Sequence, residues 1–299
     1  MKVLELVRLR AEDGPASRTA LVVQGGGMRG VYSMGALSAL EEVGLRESFA
    51  TVVGSSAGAI NAAYLLAGQA HQAVRVYVDE LSNKNFINLR RVHKIVDIDY
   101  MVDEVLKVTT PLDVEAVRKS PSRLEIILTD AETGGPFVIT NRDNVDIFEA
   151  IRATAALPAL YDRRIRVGDG YYIDGGVTES LPIMRALNDG AELIITVLTR
   201  SLSFRRMEQK AHYRLLGRLL ARRQSSAIKK LIGRADHRFN EAMDLLEEPA
   251  SLGEKISIYS VYPSDESKLV GRTTFQADRL EACAEMGRQD MLAVLNQEV

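Results

Sequence analysis

LVVQGGGMRGVYSMGALSALEEV, Leu21 to Val43, and FATVVGSSAG, Phe49 to Gly58, decide the fold class of this chain. Leu21 to Gln24 is a short apolar run suited to a strand. Three glycines follow, and from Gly30 to Val43 apolar residues recur at helical spacing through Val31, Met34, Leu37 and Leu40. Phe49 to Gly54 is strand-like again, and Ala57 to Ala67 is a helix of small residues ended by Gly68. Strand, turn, helix and strand form a βαβ unit, the building block of an α/β protein with a mainly parallel central sheet.

The alternation continues along the chain. Further strands are expected at Leu124 to Thr129, Phe137 to Thr140, Tyr171 to Ile173, Leu193 to Leu198 and Ile256 to Val261. Helices are expected near His71 to Leu81, Tyr100 to Val108, Val145 to Ala153, Pro182 to Asn188, and from Ala277 onward. No internal repeat, low-complexity tract or linker interrupts them, so one domain over residues 1–299 is expected.

With 46% hydrophobic and 26% charged residues, the 299-residue chain has the composition of an ordinary globular protein, which excludes disordered, collagen-like and coiled-coil readings. Cys283 has no intrachain partner, which points to a reducing compartment. The start, MKVLELVRLRAEDGP, lacks the apolar stretch of a secretory signal, and no segment stays apolar for about 18 residues, so a cytoplasmic protein is expected.

Charge is unevenly spread. The net charge is −2, yet Arg200 to Arg238 holds twelve Lys or Arg against Glu208 and Asp236, a net of +10, which leaves −12 for the rest. Ile228, Leu231, Ile232, Ala235, Phe239, Met243 and Leu246 follow helical spacing, so residues 200–250 read as a basic amphipathic helical insertion. A solvated basic face is the plainest role for it, and peripheral contact of 200–238 with an anionic membrane, at the inner membrane surface, is the sharper one. Nucleic acid is not expected, because no aromatic interleaving or nucleic-acid motif accompanies the charge.

Gly25 to Gly30, GGGMRG, also fits G-x-G-x-x-G, the dinucleotide fingerprint. That reading demands an acid at the end of the second strand, where this chain has Gly54. GSSAG, Gly54 to Gly58, is instead G-x-S-x-G, which sets Ser56 on a tight strand-to-helix turn with its hydroxyl exposed. Neighbouring parallel strands bring both turns to one sheet edge, so the N–H groups of Gly25, Gly26 and Gly27 face Ser56 as donors for a developing oxyanion. Arg29 supports the loop, meets an anionic substrate group or lies on the surface of the first turn.

A serine nucleophile needs a base. His71, His93, His212 and His237 are available, and the order Ser56, Asp174, then His212 or His237 formally permits a hydrolase triad. The alternative lies in YYIDGGV, where Asp174 ends a short strand and is followed by Gly175 and Gly176. That sequence also suits a simple turn. As a base, Asp174 would need hydrogen-bond reach of Ser56 and a pKa raised by burial.

GGGMRG, GSSAG and DGG in that order, with Leu181-Pro182 following, resemble the patatin-like phospholipases. ATAALP, Ala153 to Pro158, is similar to that family's small-residue block, and DGGVTESLP followed by IITVLTR resembles its bacterial cytosolic branch. The resemblance spans about Ala20 to Arg200 and implies a three-layer patatin-like fold with helices on both faces of the sheet. It implies a lipid acyl hydrolase of phospholipase A or lysophospholipase type, with a lipid or acyl-ester substrate; no cofactor or metal is expected, since the single Cys and scattered His give no zinc spacing and no D-x-D loop suits calcium. It also implies Ser56 as nucleophile, Asp174 as base and Gly25, Gly26 and Gly27 as the oxyanion hole, with Arg29, Gly30, Gly54, Gly58, Gly175 and Gly176 as motif support. Gln24 departs from plant patatins, which carry an acid there; this bears on how the glycine loop is anchored. A thioesterase or acyltransferase would use the same groups, and a catalytically inactive lipid-binding protein is the reading from another class.

Overall fold

The computed structural model describes residues 1–14, 17–91, 94–158, 160–206, 226–232 and 235–299. Its centre is an eight-stranded sheet: β1 (Thr19–Val23), β2 (Thr51–Ser55), β3 (Arg123–Asp130), β4 (Pro136–Thr140), β5 (Ile165–Val167), β6 (Gly170–Asp174), β7 (Leu193–Val197) and β8 (Ser257–Val261). The order is β5-β6-β3-β2-β1-β7-β8, with β4 paired to β3. β3, β2, β1, β7 and β8 run parallel, whereas β4, β5 and β6 join antiparallel.

Strand residues alternate between two cores, as the period of two requires. Leu21, Val23, Val52, Ile126 and Ile195 face the larger core, built with α1 (Val3–Ala11), α2 (Gly30–Glu42), α3 (Ala57–Leu66), α4 (Ala70–Arg75), α5 (Val114–Lys119) and α6 (Ile147–Ala155). Ala20, Val22, Val53, Ile127 and Ile194 face the smaller one, covered by α7 (Ile183–Asn188) and, beyond α8 (Ser226–Ile232), by Phe239, Met243 and Leu246 of α9 (Ala235–Glu247). Helices therefore cover both faces of a mainly parallel sheet, the expected three layers.

Helix α2 is enclosed on all sides, because α10 (Ala277–Leu295) lies across its outer face. A Cβ on Gly35 would fall 1.9 Å from Ala284 O, and one on Gly287 2.0 Å from Tyr32 O, so glycine sets how closely the two helices cross. Among the described residues no helix is long and apolar enough to cross a membrane.

One topological detail positions everything that follows. β4 occupies one edge of β3, while two strands share the other edge in sequence. β2 runs parallel to β3 and stops with Ser55 opposite Ile127. β6 comes from the other direction and stops with Asp174 opposite Leu128. The carboxyl ends of β2 and β6 thus meet head-on, one residue apart on β3.

Three features depart from the sequence reading. The helix expected over His71 to Leu81 is α4 followed by a wider π-helical turn, Val76–Glu80, and Tyr100–Thr109 is also wound as a π-helix. Strand β5 and helices α1 and α5 were not expected; β5 has three residues, too few for a periodic signal. Residues 207–225 and 233–234 of the basic insertion lie outside the described residues.

Candidate active site

Where β2 ends, Ser56 adopts φ 55° and ψ −130°, a conformation costing a non-glycine residue on the order of 1–3 kcal/mol. Its neighbours must be small for the chain to turn there. A Cβ on Gly54 would lie 2.6 Å from Ala59 N, and one on Gly58 2.2 Å from Val23 O. The turn leaves the Ser56 side chain half-buried at the mouth of the sheet edge.

Ending β2 at Ser55 frees the carbonyl of Ile127, and Thr154 on α6 takes it. The Thr154 hydroxyl donates to Ile127 O at 2.6 Å and accepts the Ser56 N–H at 2.9 Å, so one side chain ties elbow, helix and central strand together. Helix α6 is itself started by Asp146, whose carboxylate accepts the Phe148 N–H at 2.8 Å.

Asp174 arrives at the same gap from β6. Ser56 Oγ donates to Asp174 Oδ2 at 2.9 Å, and Gly176 N–H donates to Asp174 Oδ1 at 2.6 Å. Burial raises the Asp174 carboxyl to about 6; the Gly176 amide, the Ser56 hydroxyl and the positive charge of Arg272 restrain the rise. Gly175 has no alternative, since a Cβ there would sit 2.0 Å from Ile127 O.

The glycine turn after β1 completes the constellation. Gln24 anchors it: its Oε1 accepts the Thr199 N–H at 2.6 Å and the Thr199 hydroxyl at 3.2 Å, while its own N–H donates to Val197 O. Gly25 passes so close to the elbow that a Cβ would lie 2.6 Å from Ser55 O and 3.1 Å from Ser56 Cβ. Among the described residues nothing accepts the N–H of Gly25, Gly26 or Gly27, whereas Met28 N–H donates to Arg272 O at 3.1 Å and Arg29 N–H to Gly26 O at 3.3 Å. Behind the turn, Asn61 of α3 donates to Gly30 O at 2.8 Å and to Ser33 Oγ at 2.9 Å, and accepts from Tyr77 of the π-helical turn at 2.8 Å.

Ser56, Asp174, Gly25, Gly26, Gly27, Gly30, Gly54, Gly58, Gly175 and Gly176 are thus gathered at one edge of the sheet. Arg29 is 4% exposed, which removes the reading of it as a surface arginine. Neither described histidine serves the triad alternative. His71 is exposed, and His237, 76% exposed, faces Glu241 at 3.2 Å. His93 and His212 lie outside the described residues. Among those residues no group of three or more His, Cys, Asp or Glu is placed to hold a metal ion.

Sequence reasoning missed Thr154, Asn61, Tyr77, Thr199, Arg206 and Arg272. Thr154 left a trace as the hydroxyl in the ATAALP block, Thr199 as the second threonine of IITVLTR, and Arg206 as a member of the basic stretch. The basic stretch also behaves differently from an outward-facing charged surface at its described positions. Arg205 pairs with Asp244 and Glu247, and Arg238 donates to Val177 O at 2.7 Å and Thr178 O at 3.1 Å.

The sequence profile of the patatin-like phospholipases matches residues 21–187 of this chain, the region holding both glycine turns, Thr154 and Asp174. An uncharacterized protein of Escherichia coli K12, YjjU, is 26% identical over 264 residues, covering 82% of this chain and 68% of that protein. An uncharacterized protein of Bacillus subtilis 168, YqhO, is 26% identical over 189 residues, 54% of this chain and 64% of that one. Among solved structures, VipD from Legionella pneumophila superposes with a TM-score of 0.52 at 14% identity, over 93% of this chain and 66% of VipD, a likeness of fold. The chain spans about two thirds of the length of each of these proteins.

Proposed function

The chain belongs to the patatin-like phospholipase family, and from that premise we propose that it hydrolyses acyl esters of lipids through a Ser56–Asp174 dyad. The observation that carries this reading is the 2.9 Å hydrogen bond from Ser56 Oγ to a buried carboxylate, beside three amides that have no other partner among the described residues.

Asp174 accepts the Ser56 proton as Oγ attacks the ester carbonyl. The negative charge that forms on the carbonyl oxygen is met by the N–H groups of Gly25, Gly26 and Gly27, pre-aimed by a turn that Gln24 holds. Collapse of this intermediate expels the alcohol, which takes its proton from Asp174, and leaves an acyl-Ser56 ester. Water then gives a proton to Asp174 and attacks the acyl carbonyl; the second collapse releases the carboxylic acid and returns the proton to Ser56. A pKa near 6 suits Asp174 to both halves, being ionised at neutral pH and a far stronger base than an exposed aspartate.

Labelling with a fluorophosphonate probe, followed by mass mapping of the adduct, tests the assignment. The adduct falls on Ser56 in the wild type and is lost in Ser56→Ala and Asp174→Asn. An adduct elsewhere, or one indifferent to Asp174, removes the dyad.

A further inference from the structure

Beside the glycine turn the protein holds more positive charge than it pairs. Arg29 is 4% exposed, and its Nε is buried with no acceptor among the described residues. A buried charge without a partner is costly, and its presence calls for an anion. The neighbours of Arg29 make matters worse: after burial, the like charges of Arg272, Arg200 and Arg206 push it down to about 9.

Two of these arginines are held against aromatic rings. Arg200 packs 4.8 Å from the centre of the Phe204 ring, with its Nε buried and unpartnered. Arg206 lies 4.0 Å over the Phe239 ring, donates to Ser180 Oγ at 3.2 Å and stands 3.9 Å from Asp236. The main chain of Arg272 forms the far wall, where its carbonyl takes the Met28 N–H and lies 3.0 Å from where a Gly27 Cβ would be. Three carboxylates face the four guanidiniums. Asp174 is bonded by Ser56 and faces the charge of Arg272, the exposed Glu266 is engaged by Ser201, and Asp236 acts on both Arg206 and Arg272, which leaves Arg29 without a facing carboxylate among the described residues.

We propose that Arg29, Arg200, Arg206 and Arg272 form an anion subsite next to Ser56 that binds the phosphate of the ester substrate. This rests on Ser56 being the nucleophile. A tetrahedral phosphate offers acceptor oxygens in several directions, and guanidinium forks converging from separate elements match that better than they match a planar carboxylate. Three of the four arginines lie beyond residues 21–187, so this specificity comes from the part of the chain outside the family match.

The test compares a short-chain 1-acylglycerol 3-phosphate with the 1-acylglycerol of the same chain, both below micelle formation, in the wild type, Arg206→Gln and Arg272→Gln. The shift of Tm by inorganic phosphate is measured on the same proteins. The expected result is a wild-type preference in kcat/KM for the phosphorylated ester that falls about tenfold in each variant, with the phosphate-induced Tm shift lost in both. A preference unchanged in both variants, or phosphate stabilising all three proteins equally, overturns the subsite. Arginine-dependent stabilisation by inorganic phosphate without any preference for the phosphorylated ester identifies free phosphate as the ligand and overturns the substrate assignment. If neither ester is turned over and Ser56 takes no fluorophosphonate while phosphate binding still depends on the arginines, the subsite stands and the role of Ser56 falls.

Discussion

Asp174 at the end of β6 and Glu125 near the start of β3 are both raised by burial, at 4% and 0% exposure, yet they stand at opposite ends of the sheet in different company. Glu125 meets Arg123 at 3.0 Å and Arg185 at 3.9 Å, with Asp189 adding repulsion, and neither of its oxygens accepts a hydrogen bond among the described residues. Asp174 accepts from a serine hydroxyl and a glycine amide, at a sheet edge lined with N–H groups that have no acceptor among the described residues. A raised carboxyl therefore reports burial in both places. What separates the candidate site from an internal ion pair is a serine hydroxyl within reach and amides that have no acceptor among the described residues.

That contrast can be broken most directly by turnover. Ser56→Ala and Asp174→Asn are expected to lower acyl-ester hydrolysis by about 10⁴-fold, as when a member of a serine unit is removed, while far-UV circular dichroism stays unchanged. Glu125→Gln is expected to stay within about twofold of the wild type. A collapse in Glu125→Gln would place chemistry at the wrong end of the sheet.

Stability sharpens it next. A carboxyl whose folded pKa lies above its unfolded value loses stability as pH rises between the two, and the loss persists above them. For Asp174 this window runs from the ordinary 3.8 to about 6. Asp174→Asn is thus expected to be more stable than the wild type at pH 7, by up to about 3 kcal/mol, with the gain gone below about pH 4. Urea unfolding at both pH values measures it, and equal stabilisation at both would mean that the Asp174 charge is not what strains the fold.

The same group sets the kinetic profile. As a base Asp174 must be ionised, so kcat/KM is expected to rise about tenfold per pH unit up to an inflection near 6 and to level off above it. The inflection persists in Glu125→Gln. An inflection that moves with Glu125 would assign the titration to the other carboxyl.

The smallest expected effect concerns the hydroxyl between elbow and sheet. Thr154→Val keeps the shape but strands Ile127 O and the Ser56 N–H, so kcat is expected to drop about tenfold, with KM little changed and about 1–3 kcal/mol of stability lost. An unaltered kcat would show that glycine packing alone holds the elbow.

Much of the architecture was legible because it is local. The strand-turn-helix rhythm of Leu21 to Val43, both glycine turns and the apolar face of the later helices can all be read within short windows. The meeting of Ser56 and Asp174 is not local. It depends on β6 arriving antiparallel on an edge of β3 that β2 has already half used, and DGG after a short strand says nothing of direction. Thr154 and Asn61 escaped notice because ordinary polar residues become informative only when their partners, 27 and 31 positions away, are known. The helix expected over His71 to Leu81 widens into a π-turn, which sends the Tyr77 hydroxyl to Asn61, a deviation that apolar periodicity cannot encode.

The shared edge of β3 also sets the length of chain over which the site closes. The turn at Ser56 packs against β1 and α3 over a short stretch of chain, and Thr154 joins it from α6. Asp174 lies 118 residues further on and docks only after its strand has reversed direction. Loop closure over that distance is entropically slower than assembly of the elbow. Seating of β6 on β3 is therefore what joins the Ser56 hydroxyl to its carboxylate, so a change that unseats this one strand would part the pair without touching the turn at Ser56.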